Sequence, residues 1–266
     1  MMRKPAVAGF FYPGSRSALE KDLQSLIERA PQPQRVFGLV VPHAGYVYSG
    51  PCAGKGFGRV QVPNCVVVLG VNHRGAGKPL AVDGHDIWET PLGEIGVDIE
   101  ARDRLVRPSK IFVIDSEAGR FEHSLEVQVP FIQYLNPDAR ILPVVVSTSH
   151  LDILLQAGRE LAGLFGAGAD PLLVSSTDMS HYIPARRAKE LDAKAIEAIL
   201  AIDPEGLFNT VMDYQISMCG VAPTVIMLAA ARARGIRKAE LVAYTNSGEK
   251  TGDLSEVVAY ASVIVF

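Results

Sequence analysis

Three histidines of this chain stand just past apolar runs, where a buried strand would be expected to end. His43 follows "VFGLVVP", His73 follows "CVVVLGVN", and His181 follows "PLLVSST" with Asp178 three residues before it. A further run, "AELVAY", leads into Thr245, Asn246 and Ser247. Two more segments bring chemistry without a strand of their own. "FEHSLEVQVPF" places His123 and Glu126 at the start of a helical pattern, and "SMCGVAP" places Cys219 just ahead of another. Neutral imidazoles with one anionic donor, leaving positions open, have the general shape of a catalytic metal site. A carboxylate beside the histidines suits non-haem Fe(II), whereas a thiolate also suits copper or zinc. A thiol at a helix N-terminus is expected to lean toward thiolate, the form that binds metal. The close pairs that mark structural zinc, such as C-x2-C, do not occur.

Each of these residues has a plainer reading. His43 and His73 could be satisfied by backbone carbonyls at strand ends. "STDMSH" resembles a helix start, in which Asp178 would cap and His181 would face solvent. His123 and Glu126 could form an exposed first turn, and Cys219 alone could be a small buried residue. His85 falls in an expected hairpin and His150 in an expected cap region. Cys52 and Cys65 read as core thiols. In "VVPHAGYVYSG" the glycines predict a loop after the strand, with Tyr46 and Tyr48 packing or lining a pocket mouth.

The positioning elements follow from periodicity. Continuous β-branched runs at 35–42, 65–70, 140–147, 171–176 and 239–245 predict strands buried on both faces. Helical spacing marks 16–30, 151–165, 187–201 and 222–234, with 127–135 helical from near Pro130. Such alternation predicts a three-layer α/β/α sandwich with a mostly parallel central sheet. Residues 80–100 read as a β-hairpin insertion turning at "PLG", and "SEVVAYASVIVF" as a last strand, antiparallel in one reading. No linker or repeat divides residues 1–266, which read as one domain. In open α/β sheets, ligands bind at the carboxyl ends of strands, where the histidines cluster in sequence.

Composition narrows the function. With 48% hydrophobic and 21% charged residues, the 266-residue chain has ordinary globular character. A net charge of −3 gives no electrostatic reason for a nucleic-acid or anionic-membrane partner. Three unpaired cysteines suit a reducing compartment, no apolar run is long enough to span a bilayer, and the start does not read as a signal peptide. A cytoplasmic protein is expected.

Taken together, "RKPAVAGFFYP" (3–13), "VVPHAGYVYSG" (40–50), "LGVNHRGAG" (69–77), "EHSLEVQVPF" (122–131), "SSTDMSHY" (175–182), "MCGVAP" (218–223) and "SGEKTGDLSEVVAYAS" (247–262) resemble the Memo family. Its prokaryotic members are called AmmeMemoRadiSam system protein B. The resemblance implies a fold similar to the class III extradiol dioxygenases, with a non-haem metal pocket. His43, His73 and Cys219 match the family's metal-binding positions. Asp178 and His181 match the pocket's remaining polar residues, His181 resembling the acid/base histidine of the dioxygenases, and with His123 they are the candidates to orient ligands or move protons. Where dioxygenases use a carboxylate as third ligand, this chain offers Cys219. The implied function is a metal-binding, redox-type protein, with Fe(II) foremost and copper or zinc as alternatives. Two rivals stand beside it: an extradiol ring-cleaving dioxygenase, and a non-catalytic module for a peptide or small-molecule ligand. AMMECR1-type and radical SAM proteins are the partners the resemblance implies.

Overall fold

In the computed structural model, which describes residues 1–166 and 170–266, four of the β-branched runs form the middle of the sheet. Gly38–Val41, Leu172–Ser176, Cys65–Val71 and Arg140–Val146 lie side by side in that order, all parallel. One flank is antiparallel: Val257–Val265 pairs with Gly38–Val41 and carries both His181–Ile183 and Ala239–Asn246. On the other flank Leu80–Val82 runs antiparallel to Arg140–Val146, and Val113–Ile114 follows it, giving nine strands among the described residues. Met2–Arg3, Ile87–Thr90 and Gly93–Gly96 make a separate three-stranded sheet.

Side-chain alternation along these strands splits the core into two layers. Val40, Val67, Leu69 and Val144 face one apolar cluster, which Leu154 and Leu161 of helix Leu151–Ala162 complete together with Ile226 and Leu228 of helix Val221–Ala233. Helices Ala185–Leu200 and Pro204–Asp213 add Ile196, Ile199 and Leu207 to the same layer. Leu39, Val41, Val66, Val68 and Val145 face the opposite cluster, closed by Leu19 and Leu23 of helix Arg16–Leu26 and Phe131 of helix Val129–Leu135. Each such fully buried side chain contributes about 1.5–3 kcal/mol. The α/β/α layering expected from the sequence is therefore present, with the sheet parallel through its centre.

Four local expectations are corrected. The glycine-rich stretch after His43 is not a loop: Tyr46–Arg59 is a helix with Pro51 inside it. Its glycines serve close approach, since a Cβ at Gly54 or Gly58 would fall 2.1 Å from the carbonyl oxygens of Leu26 and Glu28. The sequence gives up about 1 kcal/mol of helix propensity per glycine for that backbone-to-backbone contact. Second, Ala239–Asn246 is not buried on both faces but a partly exposed edge strand, paired among the described residues with Val257–Val265 alone. Third, "STDMSH" starts no helix; it runs irregularly into the His181–Ile183 strand, and helix Ala185–Leu200 begins only after Pro184. Fourth, the 80–100 segment holds the expected hairpin at 87–96, but Leu80–Val82 belongs to the main sheet. Helix Ile99–Val106 and helix Pro204–Asp213 were not anticipated.

Candidate metal centre

Three adjacent parallel strands deliver three side chains to one place. His43, Asp178 and His73 each lie two residues beyond the ends of the strands that finish at Val41, Ser176 and Val71. The carboxyl edge of the sheet is thus a crevice lined by chemistry. His123 reaches it from the short helix His123–Glu126, which is tied to the neighbouring strand by Ser124 Oγ donating to Val71 O at 2.9 Å.

That short helix is anchored from behind by the N-terminal segment. Arg3 is buried, pairs with Glu126 at 2.7 Å, donates to Glu122 O at 2.8 Å, and lies 4.0 Å over the Trp88 ring. Glu126 also accepts from the amides of Ala6 and Val7 and from the Tyr12 hydroxyl. A buried ion pair so fully hydrogen-bonded positions its segment rigidly. Glu126 is therefore an anchor and does not face the crevice. The same N-terminal segment offers Phe11 O to the Tyr46 amide at 2.7 Å and lays the Phe11 ring 4.7 Å from that of His123.

One ring nitrogen from each of His43, His73 and His123 lies within 4.8 Å of the others. In His43 and His73 the other nitrogen is hydrogen-bonded, and in His123 it lies close to a carboxylate. His73 Nδ1 donates to Glu122 Oε1 at 2.9 Å, and His123 Nδ1 lies 3.3 Å from the same oxygen. His43 Nδ1 lies 3.0 Å from Ser176 Oγ. Nε2 of His73 and of His123 is left for the crevice, and Nε2 of His43 faces it with Cys219 Sγ 3.2 Å away, the arrangement that outer hydrogen bonds impose on metal-ligating histidines. Glu122 was not singled out by its sequence; its full burial under two histidines is visible only in three dimensions.

Electrostatics keep the donors in ligand form. Burial, and secondarily the charge of His73, hold His43 down at about 3. Burial and His43 hold His123 down at about 4. Both rings are neutral at pH 7, as a metal requires. For Glu122, burial opposes ionisation, but the hydrogen bonds from His73 and the Ser124 amide outweigh it and keep the carboxyl down at about 2.

Cys219 sits at the edge of this group. Its Sγ is 3.2 Å from His43 Nε2 and accepts from the Asp178 amide at 3.3 Å. The helix N-terminus does not make it a thiolate: burial, then the Asp178 carboxyl, push the thiol above its ordinary range. Gly220 must be glycine, because a Cβ there would lie 2.4 Å from Thr177 Cβ and 2.5 Å from Ser176 O. That close approach is what brings the sulfur to His43.

Asp178 is buried and accepts the backbone amide of His43 at 2.7 Å, so it braces the histidine loop rather than capping a helix. Burial raises its carboxyl despite the amides of His43 and Ala44. His181 is clamped by Ser217, whose Oγ accepts the His181 amide at 2.7 Å and whose carbonyl accepts Nδ1–H at 2.8 Å. Its Nε2 is left as a proton acceptor. The two tyrosines after His43 part ways: Tyr46 is buried with its hydroxyl donating to Val127 O, whereas Tyr48 lines the crevice. The crevice measures about 550 Å³ and is lined, besides the histidines, by Phe11, Tyr182, Tyr260, Ser247 and Thr251. His85 and His150 lie elsewhere: His85 bonds Asp83 at 2.9 Å, and His150 precedes helix Leu151–Ala162 without a side-chain cap. Cys52 is in the core and Cys65 partly buried at its margin.

With the geometry in view, comparison with known proteins is direct. The profile of the Memo-like protein family matches residues 3–264. A MEMO1 family protein of Aquifex aeolicus strain VF5 is 41% identical over 265 residues, covering 99% of this chain and 98% of its own. One from Methanosarcina barkeri strain Fusaro is 41% identical over 267 residues, covering 99% of this chain and 100% of its own. Among solved structures, an uncharacterized protein of Escherichia coli K12 superposes with a TM-score of 0.59 at 16% identity, over 87% of this chain and 100% of that one. The last is a likeness of fold.

Proposed function

The chain belongs to the Memo-like family, and on that premise we propose that it holds one redox-active first-row metal, foremost Fe(II), on Nε2 of His43, His73 and His123. Copper is the alternative that the same imidazole set accommodates. The observation that carries this reading is the convergence of three ring nitrogens within 4.8 Å, with Nδ1 of His43 and His73 hydrogen-bonded and that of His123 3.3 Å from Glu122 Oε1. Structural zinc closes its coordination with four protein donors, whereas three nitrogens facing an open crevice leave room for a ligand. When bound, such a metal supplies Lewis acidity and one-electron chemistry to a molecule in the crevice.

The chain's own residues do the rest. Glu122 orients two of the three rings and keeps their Nε2 lone pairs inward. His181, held through Nδ1 by Ser217, takes or returns a proton at Nε2 on the solvent side of the site. Asp178 holds the His43 loop through the hydrogen bond that its carboxyl accepts from the His43 amide. A second reading puts Cys219 in place of His123 as third donor, favoured by the 3.2 Å approach of its sulfur to His43 Nε2. The reaction we favour is redox chemistry on a small molecule or peptide side chain; ring cleavage of a catechol under O₂ is the rival, which a screen with iron-loaded protein decides. The three free cysteines suit work in the cytoplasm.

Anaerobic loading with Fe(II), followed by metal analysis after gel filtration, tests the proposal. Wild type is expected to retain one metal per chain, with His43→Ala and His123→Ala retaining little and Cys219→Ser most of it. If Cys219→Ser loses the metal while His123→Ala keeps it, the second reading replaces the first. Full retention by His43→Ala sinks both.

A further inference from the structure

Ser176 ends its strand with its side chain fully buried directly behind His43, and Gln128 is fully buried beside it. Three groups surround Ser176 Oγ. Ser124 O is 2.5 Å away, Gln128 Nε2 is 2.8 Å away, and His43 Nδ1 is 3.0 Å away. A carbonyl oxygen can only accept, so the single hydroxyl proton of Ser176 goes to Ser124. An amide nitrogen can only donate, so Gln128 gives a proton to Oγ. The remaining contact closes only if His43 Nδ1 carries a proton and donates it to Oγ.

The orientation of the Gln128 amide is fixed by its second contact. Its Nε2 also donates to Pro42 O, at 2.8 Å, in the residue just before His43. Turning the amide over would set oxygen against oxygen there. The cost of the observed orientation is visible: Gln128 Oε1 is buried with no hydrogen-bond partner among the described residues. A native interior seldom tolerates an orphaned acceptor, and one that persists asks for a reason. Here the reason is that both donors of the amide are committed to the His43 side.

We infer that Ser176 and Gln128 are positioning residues for His43: together they hold its proton on Nδ1, which leaves Nε2, 3.2 Å from Cys219 Sγ, as an unprotonated lone pair on the crevice side. The inference rests on the metal reading for its purpose, but the tautomer itself is a property of the metal-free protein. A lone pair fixed in advance spares the site a proton shift on ligation, and outer partners of this kind typically govern metal affinity by about 10–100-fold.

The test uses two readouts on the full chain. In metal-free protein with ¹⁵N-labelled histidine, a long-range ¹H–¹⁵N correlation spectrum near pH 7.5 reads the His43 tautomer. Wild type is expected to show Nδ1 protonated and Nε2 bare, and Ser176→Ala a mixture with Nε2 protonated. Co(II) titration should then show about 10–100-fold weaker binding for Ser176→Ala, restored toward wild type by Ser176→Thr, which returns a hydroxyl. If Ser176→Ala does not fold, Gln128→Met carries the same measurements, with a mixed tautomer and weaker Co(II) binding expected. A wild-type His43 protonated on Nε2, or a folded variant with wild-type tautomer and Co(II) affinity, overturns the inference. Absence of Co(II) binding by wild type would instead overturn the metal reading and leave the tautomer result standing.

Discussion

Replacing Glu122 by glutamine isolates the electrostatic support of the site. The side chain is fully buried, and every one of its partners is a donor. Oε2 accepts the His73 amide at 2.7 Å; Oε1 accepts His73 Nδ1–H and the Ser124 amide, each at 2.9 Å, with His123 Nδ1 at 3.3 Å. Glutamine keeps the shape but must turn an NH₂ group toward one of these N–H groups, whichever way it is placed. The native carboxyl is held at about 2, from an ordinary 4.5. By linkage that difference is worth on the order of 3 kcal/mol. Because the folded value is depressed, this stabilisation is complete above about pH 5 and is lost as pH falls through 4.5 toward 2. Glu122→Gln should therefore unfold at lower urea at pH 7, by about 2–4 kcal/mol, and the gap from wild type should close below pH 4. Misaimed His73 and His123 rings should weaken Fe(II) or Co(II) binding by about 10–100-fold in a chelator competition. A variant with wild-type urea midpoint at pH 7 and metal affinity within about twofold of wild type would refute the argument that this carboxylate orients two ligands.

Other outcomes follow from the same structure. Arg3→Ala leaves Glu126 buried and unpaired, so urea unfolding should show a loss of about 3–5 kcal/mol; a loss under about 1 kcal/mol would mean water reaches the pair. Gly220→Ala drives a methyl against Thr177 and Ser176 O, so a destabilisation of about 1–3 kcal/mol is expected, and slower modification of Cys219 by a thiol reagent would contradict the predicted loosening of the sulfur. In metal-free protein, His43 and His123 stay neutral down to about 3 and about 4, while the unfolded chain takes up their protons near 6.5. The folded values are depressed, so stability should fall by about 2.7 kcal/mol per pH unit between about 6.5 and 4. A urea midpoint unchanged between pH 7 and pH 5 would exclude that burial.

Much of this arrangement is legible in the sequence because it follows from periodicity. Four of the five β-branched runs are buried strands of the sheet centre, and the residues two places past three of them, His43, His73 and Asp178, meet at the carboxyl edge. Function hidden by context is harder to see. The Tyr46–Arg59 helix escapes a propensity argument because its glycines answer to a neighbouring backbone. Glu122 and Glu126 look alike in "FEHSLEVQ", yet one carries two imidazoles and the other an arginine 123 residues away in the chain. Cys219 was expected to gain from a helix dipole, but burial is the larger effect. Helix Ile99–Val106 was missed because it is short, with only Ala101 and Leu105 buried to mark its period.

The central claim is that His43, His73 and His123 together hold one metal through Nε2. Anomalous diffraction from crystals grown anaerobically with Fe(II), recorded above and below the iron edge, addresses it most directly. The account predicts a single peak between the three rings, bonded to Nε2 of each, with Glu122 and Ser176 still on the Nδ1 side. A peak bonded to His43, His73 and Cys219 but not to His123, or an iron bound away from the three rings, would contradict it.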